Sequence, residues 1–153
     1  MKLSDPECVF CRIVGGQEPA SRVIEDDRIV AFMILRPIHA GECLIIPKDH
    51  VDHFCDLDDD ISCHIMRKAQ QLSRVIRERF EVPRVGLVVH GFGVAHAHLI
   101  IVPLMEPGDI TSQKHARLED GKLRFGMSHI PKTPRRELDR VAKLLKDRME
   151  MES

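Results

Sequence analysis

The sequence predicts one domain in which paired strands are covered by helices, on three observations. From Val85 to Pro103, two apolar runs rich in β-branched residues flank Gly91-Phe92-Gly93, the pattern of two strands and a tight connection. Ile61, Ile65, Ala69, Leu72, Ile76 and Phe80 recur at steps of three and four, which marks an amphipathic helix. A length of 153 residues supports a single core without disulfide staples.

Each element follows in order. Cys8-Val9-Phe10-Cys11 is a C-x2-C knuckle whose spacing lets both thiolates face one cation. A redox pair would open a helix after a buried strand, and no strand precedes this one, so zinc is the better expectation. Gly15-Gly16 and Pro19 end the opening segment. Arg22 to Glu25, Asp26-Asp27 and Arg28 to Ile34 then read as strand, turn and strand. Arg36-Pro37 and Gly41 mark a loop before Cys43 to Pro47, a short continuous apolar run expected as a central strand, and His50 stands just past its exit. Asp58, Asp59 and Asp60 complement the positive start of the long helix, Arg77 and Arg79 its end, and Pro83 prevents continuation. The tract from Glu106 to Pro131 is polar and poorly patterned, and is expected as a loop with little regular structure. Thr133 as N-cap and Pro134 at the first helical position open a last helix with an apolar stripe through Leu138, Val141, Ala142, Leu145 and Met149.

Composition narrows the function classes. Lys and Arg number 23 against 24 Asp and Glu, so no basic excess points to an obligate nucleic-acid partner. Met1 to Pro6 does not resemble a signal peptide, and no apolar run is long enough to span a bilayer. Five cysteines, at positions 8, 11, 43, 55 and 63, fit a reducing compartment better than a disulfide framework. The expectation is a cytoplasmic protein that neither enters a membrane nor requires nucleic acid.

Because side chains alternate along a strand, His96, His98 and Ile100 are expected on one face, with Ala97, Leu99 and Ile101 on the other. Two imidazoles side by side in an apolar strand are costly unless each finds a partner, a metal or a substrate. Cys8, Cys11, His50 and one strand histidine make a Cys2His2 set that would close a structural zinc site. The other histidine remains free as a nucleophile.

The stretches Ala31-Phe32 through Gly41, Leu44-Ile-Ile-Pro-Lys-x-His50, and His96-Ala-His98-Leu-Ile-Ile-Val-Pro103 resemble the histidine-triad (HIT) family of nucleotidyl hydrolases and transferases, across nearly all of residues 7 to 104. The opening Cys-x-Phe-Cys is similar to the zinc-carrying bacterial branch. The resemblance implies an α+β, HIT-like fold over residues 1–153 as a single domain: an antiparallel sheet of about five strands, a long covering helix, and a C-terminal extension from 105 with a helix from about 134. It implies a homodimer, and cleavage of a phosphorus–heteroatom bond of a nucleotide or nucleotide conjugate through a nucleotidyl-histidine. Carried over by position, His98 is the nucleophile. Cys8, Cys11, His50 and His96 hold a structural zinc, while Phe10, Ile13, Phe32 and Leu35 line a nucleoside pocket.

The departures bear on activity. Ile100 occupies the third triad position and can neither donate a proton nor carry charge. Ile34 falls where a ribose-gripping Asp or Asn is usual, Phe92 where a Gln is common, and Gly41-Glu42 replaces a Gly-His pair. His90, across the glycine turn, is the candidate to replace the third histidine near the phosphate. Retention of His98 favours a hydrolase or nucleotidyl transferase of the phosphoramidate or dinucleoside polyphosphate type. Ile34 and Ile100 favour the alternative, a non-catalytic zinc-stabilised binding protein.

Overall fold

The computed structural model describes residues 4–110, 115–126 and 128–151. A six-residue helix, α1 (Val9–Val14), precedes β1 (Arg22–Glu25), β2 (Ile29–Met33) and β3 (Cys43–Pro47). A 3-10 turn at Phe54–Asp56 leads into α2 (Asp59–Phe80), β4 (Arg84–Val88) and β5 (Leu99–Leu104). The chain continues through β6 (Ala116–Glu119), β7 (Lys122–Phe125) and α3 (Arg135–Met151). The main sheet has five strands in the order β1-β2-β3-β5-β4, each antiparallel to its neighbours. This is the α+β architecture expected from the sequence. Among the described residues, no helix is long and apolar enough to cross a membrane.

The β1–β2 turn forms because the Asp26 carboxylate accepts hydrogen bonds from the backbone N–H groups of Arg28 and Ile29, both at 2.9 Å. Strands β2 and β3 are buried at every position, which is why β3 is written as an unbroken apolar run. On one face Ala31, Cys43, Ile45 and Ile101 meet Ile65 and Leu72 of α2 and Leu145 of α3. On the other, Phe32, Leu44 and Ile46 meet Phe10 and Ile13 of the N-terminal segment. Helix α2 ends as Glu81 turns left-handed (φ 52°) ahead of Pro83. Gly41 is required where it stands: at φ +96°, an added Cβ would lie 2.6 Å from the Phe80 ring. Helix α3 starts at Arg135 rather than Pro134, although the Pro134 carbonyl already accepts from the N–H groups of Glu137 and Leu138.

Two expectations need correction. The connection between β4 and β5 is not a tight turn but the ten residues 89–98, so His96 and His98 precede β5 rather than lying within it. The physical reason is competition for backbone groups. The Ala97 N–H donates to Val51 O at 2.6 Å and the His96 N–H to Val94 O at 2.8 Å, so neither joins the strand ladder. The tract 106–131 is not a plain loop either, because it contains the hairpin β6–β7. Its turn, Asp120-Gly121, has positive φ at both residues (51° and 71°), as an Asp-Gly hairpin turn requires. Cross-strand pairing sets Ala116 opposite Phe125 and Leu118 opposite Leu123, an apolar face, with Arg117, Glu119, Lys122 and Arg124 on the other. Residues 111–114 and 127, within that expected loop, lie outside the described residues.

Candidate metal centre and catalytic histidine

Four elements converge on one point. Cys8 caps the start of α1, Cys11 lies within it, His50 follows β3, and His96 sits in the loop leading to β5. Their four potential ligand atoms all lie within 4.8 Å of one another. Cys8 Sγ is 3.5 Å and Cys11 Sγ 3.6 Å from His96 Nδ1, and Cys11 Sγ is 3.3 Å from His50 Nδ1. A tetrahedral zinc with S and N ligands has a sulfur–nitrogen edge of about 3.6 Å, so the donor set fits that ion in both number and spacing.

The surroundings of His96 suit metal binding. Its Nε2–H donates to the Pro47 carbonyl at 3.0 Å, which leaves the Nδ1 lone pair facing the thiols. Burial lowers the His96 pKa, and the nearby His50 and His98 add to that, outweighing the Pro47 hydrogen bond; the ring is held neutral, the form that binds a metal. Burial raises the Cys11 thiol pKa, against the pull of a hydrogen bond from the Asp5 N–H. A cation between the sulfurs would reverse that direction.

His98 is placed differently from the four clustered residues. It is buried, and its Nδ1–H donates to the backbone carbonyl of His96 at 2.7 Å. A carbonyl oxygen only accepts, so Nδ1 carries the hydrogen of that bond and Nε2 is the ring nitrogen left free of it. The Phe10 ring packs edge-on against both imidazoles, with centroids 5.8 Å from His96 and 5.5 Å from His98.

Two clefts flank this point. The first, of about 370 Å³, is walled by Phe10, Ile13, Phe32, Ile34, Leu35 and Leu44. All four residues expected to line a nucleoside pocket are therefore brought together, and Ile34 stands among them. Phe10 and Phe32 meet edge to face at 5.6 Å, so the same rings form core and cleft wall. Sequence reasoning missed Arg36, Lys132 and Arg135 at this cleft. No local pattern marks the last two, which arrive because the Thr133 N–H donates to Leu35 O at 2.9 Å. The second cleft, of about 320 Å³, is lined by His53, Cys55, His90 and His98. His90 and His98 have centroids 6.4 Å apart at 80°. Sequence reasoning missed His53 and Cys55, which lie at the start of and within the 3-10 turn Phe54–Asp56.

Comparison with known proteins agrees with this architecture. The chain is 29% identical over 107 residues to "Protein hit" of Bacillus subtilis, covering 67% of this chain and 74% of that protein. It is 32% identical over 98 residues to the adenosine 5'-monophosphoramidase hnt1 of Schizosaccharomyces pombe, covering 63% of this chain and 73% of that protein. Among solved structures, a Zn-bound histidine triad family protein from Mycobacterium smegmatis superposes with a TM-score of 0.71 at 24% identity, over 95% of this chain and 94% of that one. A Hit-like protein from Bartonella henselae gives 0.72 at 23% identity, over 94% and 97%. The HIT domain family model matches residues 15–106, and the chain belongs to the HIT family.

Proposed function

We propose that this protein is a nucleotide-binding hydrolase or nucleotidyl transferase in which His98 attacks a phosphorus centre. The observation that carries this reading is the hydrogen bond from His98 Nδ1–H to His96 O at 2.7 Å, which aims Nε2 away from the backbone. In the step itself, the Nε2 lone pair forms a bond to phosphorus as the bond to the leaving group breaks, giving a nucleotidyl-His98. The Nδ1–H stays on the carbonyl and stabilises the positive charge the ring acquires. His90 is the donor for the departing group in place of the missing third histidine, since it lines the same cleft as His98. Water or another acceptor then attacks phosphorus and frees His98.

Cys8, Cys11, His50 and His96 are the residues that would hold a structural zinc, supported by their spacing. Held by these side chains, a zinc ion would cross-link α1 to the segment after β3 and to the loop that carries His96. Phe10, Ile13, Phe32 and Leu35 form the wall for the group attached to phosphorus.

The functional unit we propose is a single-domain protein with its core at residues 7–104, acting as a homodimer in the cytoplasm. Support for the dimer comes from β4, an edge strand, where Leu87 on the strand and Val89 just past its end are exposed. All five cysteines are unpaired, which suits a reducing compartment. A non-catalytic binding protein is the second reading, favoured by Ile34 and Ile100. Single-turnover hydrolysis of adenosine phosphoramidate by wild type and His98→Ala separates the two. Loss of hydrolysis in the variant supports catalysis by His98, whereas no turnover by wild type across phosphoramidates and dinucleoside polyphosphates supports the binder.

A further inference from the structure

The cleft walled by Phe10, Phe32 and Ile34 has an uneven supply of polar groups. Three cations and one carboxylate border it: Arg36, Lys132 and Arg135 against Glu18. Arg36 donates to the Ile130 carbonyl, and Arg135 to Ser21 Oγ at 3.0 Å and Pro19 O at 3.2 Å. Ser21 Oγ in turn donates to Asp139 Oδ1 at 2.6 Å, so Asp139 acts through a hydroxyl and does not line the cleft. Among the described residues, Lys132 has no hydrogen bond or ion pair, and its backbone is pinned beside Leu35 by the adjacent Thr133 N–H. A pair of hydroxyl groups needs an acceptor beside it. The side chains here offer one carboxylate, Glu18, for two hydroxyl donors, and Ile34 adds hydrocarbon to the wall.

We propose that this cleft takes an apolar ring or chain bearing a negatively charged substituent, and that it does not discriminate for a ribose diol. The hydrocarbon packs on Phe10, Phe32 and Ile34, and the anion meets the Lys132 ammonium at the cleft mouth. A neutral polar group would leave an excess of positive charge unmatched, and a cationic group would be repelled by it. Only the position of this group within a substrate rests on the reading of His98 as nucleophile; its recognition does not.

The test is calorimetric titration of the full chain with naphthyl phosphate, adenosine and dideoxyadenosine, which lacks both ribose hydroxyls. Naphthyl phosphate should bind at least tenfold more tightly than adenosine, and the two nucleosides should agree within about twofold. Lys132→Glu should weaken naphthyl phosphate about fivefold, the upper end of the scale of an exposed ion pair because the charge is reversed, without moving dideoxyadenosine. Ile34→Asp should restore a preference for adenosine over dideoxyadenosine and weaken naphthyl phosphate. His98→Ala should weaken naphthyl phosphate by less than Lys132→Glu does, which separates the anion at this cleft from the catalytic position. The proposal is overturned if adenosine binds most tightly and loses affinity without its hydroxyls, if no probe binds, or if His98→Ala rather than Lys132→Glu weakens the anion. A failure of His98 to form a covalent adduct would overturn the catalytic reading and leave these affinities unchanged.

Discussion

Glu42→Gln tests how the loop before β3 is held. Glu42 is buried, and burial drives its pKa from the ordinary 4.5 to about 7, against the Ile38 N–H donated to its carboxylate and the nearby His39. Between those values the native state retains a proton that the unfolded chain has released. Stability therefore falls as pH rises from 4.5 to 7 and stays lower above that, by about 3 kcal/mol at full extent. Glutamine keeps an oxygen to accept from Ile38 N–H and carries no charge. Its stabilising effect should grow by about 2 kcal/mol between pH 5.5 and pH 8.5, or about 4–8 °C in melting temperature for a chain of this size. Differential scanning calorimetry of both proteins at the two pH values reads this directly. An equal difference at both, or a smaller one at pH 8.5, would refute the reasoning.

Further outcomes follow from the same geometry. Protein purified without added metal should carry about one zinc per chain, and Cys11→Ser should lower that to a small fraction while speeding backbone exchange in residues 5–14 more than in the sheet; elemental analysis and hydrogen exchange check both. Ile100→His places a donor two residues beyond His98 on the same face and should raise turnover of a nucleoside phosphoramidate by up to about a hundredfold, or roughly 3 kcal/mol, in single-turnover assays. Wild type should sediment as a dimer at micromolar concentration, and Leu87→Glu on the exposed edge of β4 should shift it to monomer.

What the sequence conveys depends on how local each cause is. Helix α2 is legible because its stripe from Ile61 to Phe80 and its break at Pro83 are written within one segment. The cluster of Cys8, Cys11, His50 and His96 is legible because Cys8 and Cys11 carry their own spacing, and because β3 delivers His50 at its exit. The face shared by His96, His98 and Ile100 also survives: His96 and His98 touch Phe10, and Ile100 packs in the same cluster. That they precede β5 depends on Val51 O capturing the Ala97 N–H, a contact between residues 46 positions apart that no local pattern records. The β6–β7 hairpin was within reach, since Asp120-Gly121 is a hairpin turn flanked by alternating residues. The rest of its signal is weak because both strands are only four residues long and carry charges on one face. Lys132 and Arg135 reach the apolar cleft only through the tertiary docking of Thr133 on Leu35.

The role of His98 is tested most directly by intact-mass analysis of wild-type protein quenched in acetone-free alkali during turnover of adenosine phosphoramidate, conditions under which a phosphorus–nitrogen bond to histidine survives. The account predicts an adenylyl adduct that maps to His98 by peptide sequencing, rises and decays with the reaction, and is absent from His98→Ala together with hydrolysis. Hydrolysis that continues in His98→Ala at the wild-type rate, or turnover by wild type with an adduct on another residue, would contradict it.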